Sequence, residues 1–382
     1  MTGVMALEEG GRVDFTRLRH ERRRKVFDGM DAAGIEMLVL GRPANVRYAS
    51  GARQLWRTGA NPFAPLCVVI RRTEKVHLLS SWDEGVPAEI GHEDLYGLFW
   101  NPAHLIAALR EIPGFVGAQR VGTDSLTPFF GRVLRDLVPA LELVDAAPLL
   151  QRAQAHKTAD EIAAIAVAVS LAEAGLSALE EALEPGITER ALLGAYLGAI
   201  ASLGAPTPPT ESVVFATPRQ GPVRFRYLAS ERTIEQGELV VLAPGAFYAG
   251  YEGGVARTRT AGAAPTPEAR RLTIRCRGAI ATLVGACRAG NTGADLYRAW
   301  ESTGEPPAEV ALANGVGLGT EAPVVGFGRG NDAPLEEGAV LSVQAWVSQE
   351  GTGGFFQREL VQIGEEGPRV LTRSERSERW AP

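Results

Sequence analysis

From Lys157 to Pro382 the chain runs 226 residues without a histidine, all five of its histidines lying earlier. Without an imidazole, the serines and cysteines of this stretch lack the partner that activates a nucleophile, so a catalytic triad is not expected there. The groups left to do chemistry are carboxylates, amides and guanidiniums. A glutamate such as Glu321 becomes a usable general base when a partly dry pocket raises its pKa toward neutrality, and stays inert when it is solvated or ion-paired. Arginines such as Arg226 and Arg358 can grip a carboxylate or phosphate bidentately, or simply neutralise neighbouring acids in a packed centre. Gln344 and Asn314 offer neutral hydrogen bonds that orient a ligand or satisfy nearby backbone. Cys67, Cys276 and Cys287 are an odd number with no CxxC spacing, which argues against a disulfide framework or a zinc knuckle and fits a reduced, cytoplasmic setting.

The elements that must position these groups fall into two domains, as 382 residues with 45% hydrophobic and 22% charged content allow. A net charge of -6 argues against a general nucleic-acid binder, and the run Arg22-Arg23-Arg24 reads as a solvated helix face. The polar segment from Met1 to Phe15 has no apolar core of a leader, and no apolar run is read as long enough for a membrane span. Residues 1–152 read as an α/β domain: a helix over Phe15 to Ala33, strands at 36–40, 66–71, 75–79 and 120–122, and helices at 103–110 and 129–137. No catalytic motif stands out in it.

Residues 153–382 open with capping-box spacing, Thr158 and Glu161, at the head of a long helix that ends near Pro185-Gly186. A second helix over 188–203 runs into the Pro-rich loop Pro206 to Pro209. Strands follow, with helices at 267–289 and 294–301. The segments Ile234 to Ala243 and Leu335 to Gln344 echo each other: each passes from a Glu-rich turn through a Gly into a β-rich strand that ends six residues later. Duplication would bring Ala243 and Gln344 to one centre, whereas convergence on a common turn-then-strand pattern would not. The run Gly315-Val316-Gly317-Leu318-Gly319 is a weak match to a dinucleotide-binding turn, having no leading strand and no following helix. Cys276 and Cys287 read as core residues of a helix.

Four segments carry a family resemblance: Gly237-Glu238-Leu239-Val240-Val241-Leu242-Ala243 with Gly250 to Thr258, Asn314-Gly315-Val316-Gly317-Leu318, Val343-Gln344-Ala345-Trp346, and Gly354-Phe355-Phe356-Gln357-Arg358-Glu359. With the linker helix led by Lys157-Thr158-Ala159-Asp160-Glu161-Ile162, they resemble the pita-bread metallopeptidases: methionine aminopeptidase, Xaa-Pro aminopeptidase, prolidase and the metal-free relative creatinase. The resemblance covers nearly the whole chain and implies an α+β fold, a pita-bread domain behind a smaller creatinase-type domain. It places Ala243 and Gly254 in the two metal-aspartate columns, Asn314 in the histidine column, Gln344 in a glutamate column and Arg358 in the last carboxylate column, with Glu359 there after a one-residue shift. Amides and a guanidinium do not replace the anionic oxygens and imidazole that paired divalent ions require, so no cofactor and no two-metal hydrolysis are expected.

Creatinase works without metal through a histidine, whose column here holds Arg226, while the family's substrate-gating histidine is replaced by Glu321. The resemblance therefore gathers Arg226, Glu231, Tyr251, Glu252, Asn314, Glu321, Gln344, Arg358 and Glu359 around one cavity. Glu321 and Arg226 become the catalytic candidates and the others ligand contacts, Tyr251 and Arg257 being chiefly structural. It implies a homodimer in which Arg53-Gln54-Leu55-Trp56-Arg57 either covers the partner's cavity or packs within its own subunit. Three functions are expected: a metal-free pseudo-peptidase binding a small amino-acid- or peptide-like molecule, a metal-independent creatinase-like C–N hydrolase, or a non-enzymatic dimeric interaction protein. None involves nucleic acid or membrane.

Overall fold

The computed structural model describes residues 11–53, 66–80, 83–97, 101–124, 127–138, 140–205, 212–326 and 332–373. The Pro-rich loop 206–209 and residues 54–57 of the proposed covering segment lie outside them. The chain divides into two compact units, Met1–Gln154 and Ala155–Pro382.

In the first unit the order is α1 (Phe15–Ala33), β1 (Met37–Leu40), α2 (Pro43–Ser50), β2 (Cys67–Ile70), β3 (Lys75–Leu79), β4 (Leu95–Tyr96), α3 (Pro102–Glu111), β5 (Arg120–Thr123), α4 (Pro128–Leu137), β6 (Glu142–Asp145) and α5 (Ala147–Ala155). The strands form one mixed sheet in the order β4-β3-β2-β1-β5-β6, with β1 fully buried at its centre. Asp14 caps α1 and Gly34 ends it in the left-handed conformation, which fixes both boundaries where the sequence places them. The sequence reading lacks α2, β6 and α5, which are short and half-polar. The arginine run is also not a uniformly solvated face. Arg22 is buried, its guanidinium lying 5.4 Å over the Tyr48 ring and donating to the Arg47 carbonyl, because the α1–α2 contact leaves no route to solvent.

The second unit contains α6 (Ala159–Ala182), α7 (Glu189–Ser202), β7 (Val213–Thr217), β8 (Leu239–Ala243), β9 (Gly245–Tyr248), β10 (Tyr251–Gly254), β11 (Arg257–Thr260), α8 (Pro267–Ala286), α9 (Gly293–Glu301), β12 (Ala313–Gly317), β13 (Gly319–Val325), β14 (Val340–Gln349), β15 (Gly353–Gly364) and β16 (Gly367–Val370). Its sheets are antiparallel: β11-β8-β7, β10-β9 and β13-β12-β14-β15-β16. The capping box at Thr158 and Glu161 opens α6 as its spacing requires. Contrary to the sequence reading, α6 is long and apolar enough, by length and composition alone, to cross a membrane. Its alanines raise the hydropathy, and they serve close packing. Ala164, Ile165, Ala168, Val169, Ala172, Leu176 and Leu179 are buried at helical spacing, and Gly253 lies against the backbone of Ala168 and Val169.

Two further corrections come from this unit. Ala243 does end β8, but Gln344 sits midway along β14, a strand of 10 residues, so the two echoing segments diverge in length after their shared turn. The glycine-rich run 315–319 spans the turn from β12 into β13, a strand-to-strand connection with no helix N-terminus to hold a pyrophosphate.

Candidate functional site

Strand alternation decides which side chains share a face. Gln344 and Arg358 stand directly opposite each other on β14 and β15, and Arg358 Nε donates to Gln344 Oε1 at 2.9 Å. Asn314 lies opposite Ser342, which puts it diagonally beside Gln344 on the same face. All three are buried, each 6% exposed. Arg358 also forms a backbone bridge with Ala256, and its Nη1 would lie 3.6 Å from a Cβ built on Gly254. The side chain of Arg358 thus reaches the bare end of β10. Glu252, two residues earlier on β10 and half-buried, shares the Gly254 face. Ala243 completes the group from β8, in one core cluster with Phe215, Trp346 and Phe356. The Arg358 guanidinium lies 5.6 Å from the Phe356 ring centroid, and Phe225 packs edge-on against Phe356, Trp346 and Phe215. The indole Nε1 of Trp346 is buried with no hydrogen-bond partner among the described residues.

A second group forms where α6 meets the β12–β13 turn. Glu321 Oε2 accepts from Lys157 Nζ at 2.7 Å, and Oε1 accepts from the Leu318 amide. Lys157 is 2% exposed and Glu321 14%. Gly317 makes room for this carboxylate, which occupies the space that a Cβ there would need. Burial pushes the Glu321 carboxyl above its ordinary value, Lys157 opposes the shift and the nearby Glu161 carboxylate adds to it. Glu161, fully buried, accepts from the Tyr251 hydroxyl at 2.9 Å. Lys157 and Glu161 were missed by the sequence reading because the capping box already accounted for their neighbourhood.

Four predicted residues sit elsewhere or serve another purpose. Glu359 points to the opposite face of β15 from Arg358, where it takes the Arg257 guanidinium at 2.8 Å, the Gln357 amide at 2.8 Å and the Thr372 hydroxyl. The period of two in a strand therefore puts Arg358, and not Glu359, on the face that carries Gln344. Arg226 pairs with Glu189 and lies 5.2 Å over Phe215. Burial raises the Glu189 carboxyl, but hydrogen bonds from Arg226, Ser230 and Ala216 outweigh it and hold the group below its ordinary value. In this arrangement the Arg226 guanidinium ties the loop to Glu189 at the head of α7. Glu231 is exposed and paired with Arg190 of α7. Tyr251 is fully buried with its hydroxyl committed to Glu161, so it joins the two groups structurally.

The donor set of the first group does not fit a divalent ion. A guanidinium stays protonated, the amides are neutral, Ala243 and Gly254 bring no oxygen, and Glu252 supplies a single carboxylate where a paired-ion site needs several. Among the described residues, no group of three or more His, Cys, Asp or Glu side chains is arranged to hold a metal. The cysteines are equally unreactive: burial pushes the Cys67 and Cys287 thiols up to about 12, and Cys276 higher than its ordinary value.

Residues 163–365 match the model of metallopeptidase family M24, and residues 22–155 match the creatinase/prolidase N-terminal domain. The Xaa-Pro dipeptidase of Pyrococcus horikoshii is 23% identical over 94% of this chain and 99% of its own length. An agropine synthesis cyclase of Rhizobium rhizogenes is 24% identical over 90% of this chain and 92% of its own. The solved prolidase from Pyrococcus horikoshii superposes with a TM-score of 0.76 at 22% identity, covering 94% of this chain and 99% of that one, and shares the fold of both units. With a creatinase-type N-terminal domain ahead of a pita-bread domain, this chain belongs to metallopeptidase family M24.

Proposed function

We propose that this member of the family binds a small amino-acid- or peptide-like molecule without metal, through Arg358, Gln344 and Asn314. The observation that carries the reading is the Gln344–Arg358 pair facing Gly254: a buried cation and two amides occupy the face where the family resemblance calls for anionic ligands. A guanidinium so placed favours a carboxylate-bearing ligand, and the amides can receive its amine and carbonyl. The Phe225, Phe356 and Trp346 rings favour an apolar side chain beside it. The family's dimeric arrangement and a cytoplasmic setting complete this reading.

The Lys157–Glu321 pair favours a second reading, metal-independent hydrolysis of a C–N bond. Glu321 would draw a proton from water, the water oxygen would bond to carbon, and the proton would pass to the departing nitrogen. The cyclase among the relatives supports the idea that this framework is not confined to proteins named as peptidases.

The test is elemental analysis of the purified protein, with thermal-shift screening of amino acids and dipeptides against wild type and Arg358→Met. The expected result is no stoichiometric metal and ligand stabilisation that disappears in Arg358→Met. Bound metal with manganese-, cobalt- or zinc-stimulated Xaa-Pro cleavage would overturn the binding reading, and turnover unchanged in Glu321→Gln would remove the hydrolase.

A further inference from the structure

The edge of α8 that faces β11 carries two cavities with Arg277 as a common wall. One, of 630 Å³, is lined by Arg259, Arg270, Arg277, Thr258, Thr260 and Thr273, with Leu183, Leu239 and Phe355 as its apolar side. The other, of 1060 Å³, includes Arg257, Arg373 and Glu359. Neither takes part in the function proposed above. The first has three arginines in its lining and no carboxylate, in a chain of net charge -6.

The arginines of α8 divide by direction. Arg271 pairs with Glu268 at 2.8 Å and Arg275 with Glu305 at 2.6 Å. Arg270 and Arg277, which line the cavity, are exposed, and among the described residues neither has a carboxylate within ion-pairing distance. Arg259, nearly buried, pairs with Glu180 of α6, which is not part of the lining. Its guanidinium is held below its ordinary value by burial first and, against the pull of Glu180, by the charges of Arg257 and Arg277. Arg277 stands close enough to Arg259 for its charge to be felt there, and an anion between the two would relieve that repulsion.

We propose that the 630 Å³ cavity is a binding site for a phosphate monoester with an apolar body, its phosphate held by Arg259, Arg270 and Arg277. After Glu180 is counted, two of the three positive charges remain uncompensated, which matches the charge of about -1.5 to -2 on a phosphate monoester better than a single carboxylate. Thr260 supplies a hydroxyl, whereas the Thr258 and Thr273 hydroxyls are committed to the carbonyls of Phe356 and Ala269. Leu183, Leu239 and Phe355 receive the body of the molecule, and the volume leaves room for it beyond the phosphate.

The test is calorimetric titration of the full-length protein with phenyl phosphate and with inorganic phosphate. Phenyl phosphate is expected to bind saturably and more tightly than inorganic phosphate, and affinity falls about tenfold in each of Arg270→Gln and Arg277→Gln, the scale of a lost charge-assisted hydrogen bond. Both positions are exposed, so the variants fold, and Arg358→Met should retain the binding. No saturable binding, equal affinity for the two probes, or binding undiminished in the Arg270→Gln/Arg277→Gln double variant would each overturn the proposal. None of these results depends on the amino-acid site.

Discussion

The two halves of the second unit share a frame and differ in what they mount on it. In the first half Gly186 N donates to Ile234 O and Ile234 N to Ile187 O; in the second, Gly290 N donates to Leu335 O and Leu335 N to Asn291 O. Gly237 donates to Ala261 O, and Gly338 to Ile363 O, both glycines at positive φ of about 80° that a side chain would strain. Ala256 and Arg358, equivalent in the two halves, bridge to each other, and Arg257 and Glu359 beside them form a buried ion pair. These hydrogen bonds favour duplication over convergence. On this frame the first half presents Ala243 and Gly254 with the half-buried Glu252, while the second presents Asn314, Gln344 and Arg358. Backbone bonds and glycine turns hold the frame whatever the inward side chains are, so chemistry can change on one half without unmaking the other.

Breaking the pair between the halves should have the largest effect. Glu359→Ala leaves the Arg257 guanidinium buried without its carboxylate, and denaturant unfolding is expected to show a loss of about 3–5 kcal/mol. Next comes Gly253→Ala, whose Cβ would fall 2.3 Å from the backbone of Ala168 and Val169; a loss of about 1–3 kcal/mol is the usual scale of overpacking. If the second half is held equally tightly, Gly315→Ala, 2.4 Å from the Ala322 carbonyl, should cost a similar amount.

The third prediction concerns pH. The Glu321 carboxyl is raised in the fold, so its contribution to stability is fully present below its ordinary value of 4.5 and is lost as pH rises through the folded value. Lys157→Met removes the cation that opposes the shift, so stability should fall more steeply with rising pH in Lys157→Met than in Lys157→Met/Glu321→Gln. Parallel profiles for the two variants between about pH 4 and 8 would remove the role assigned to Glu321. The smallest effect sharpens the comparison itself. Arg358→Met removes one hydrogen bond to Gln344 while retaining buried volume, so stability should change by about 1 kcal/mol even as the proposed ligand binding disappears.

Much of this was legible from local signals. Asp14, Thr158 and Thr188 announced three helices, and Gly237 and Gly338 announced the repeated turn, because caps and turns depend on neighbours in the chain. The segments holding Ala243, Gly254, Asn314, Gln344 and Arg358 were likewise readable as strands, since the turns and alternation that frame each are local. The ion pairs of Arg226, Glu231 and Glu359 were not legible, because their partners, Glu189, Arg190 and Arg257, are distant in sequence or hidden by strand register. Lys157 is the same case in extreme form: its partner Glu321 lies 164 residues away, and the capping box beside Lys157 gives no sign of the pair.

The sequence by itself determined the family, the two units and the absence of histidine after His156, because residue identities and short-range patterns suffice for those. Only the tertiary structure decided that Arg358 faces Gln344 while Glu359 faces Arg257, that Glu321 is held by a buried lysine, and that three arginines line a cavity along α8. The physical reason is that charges interact through space, and their partners are set by which elements pack together.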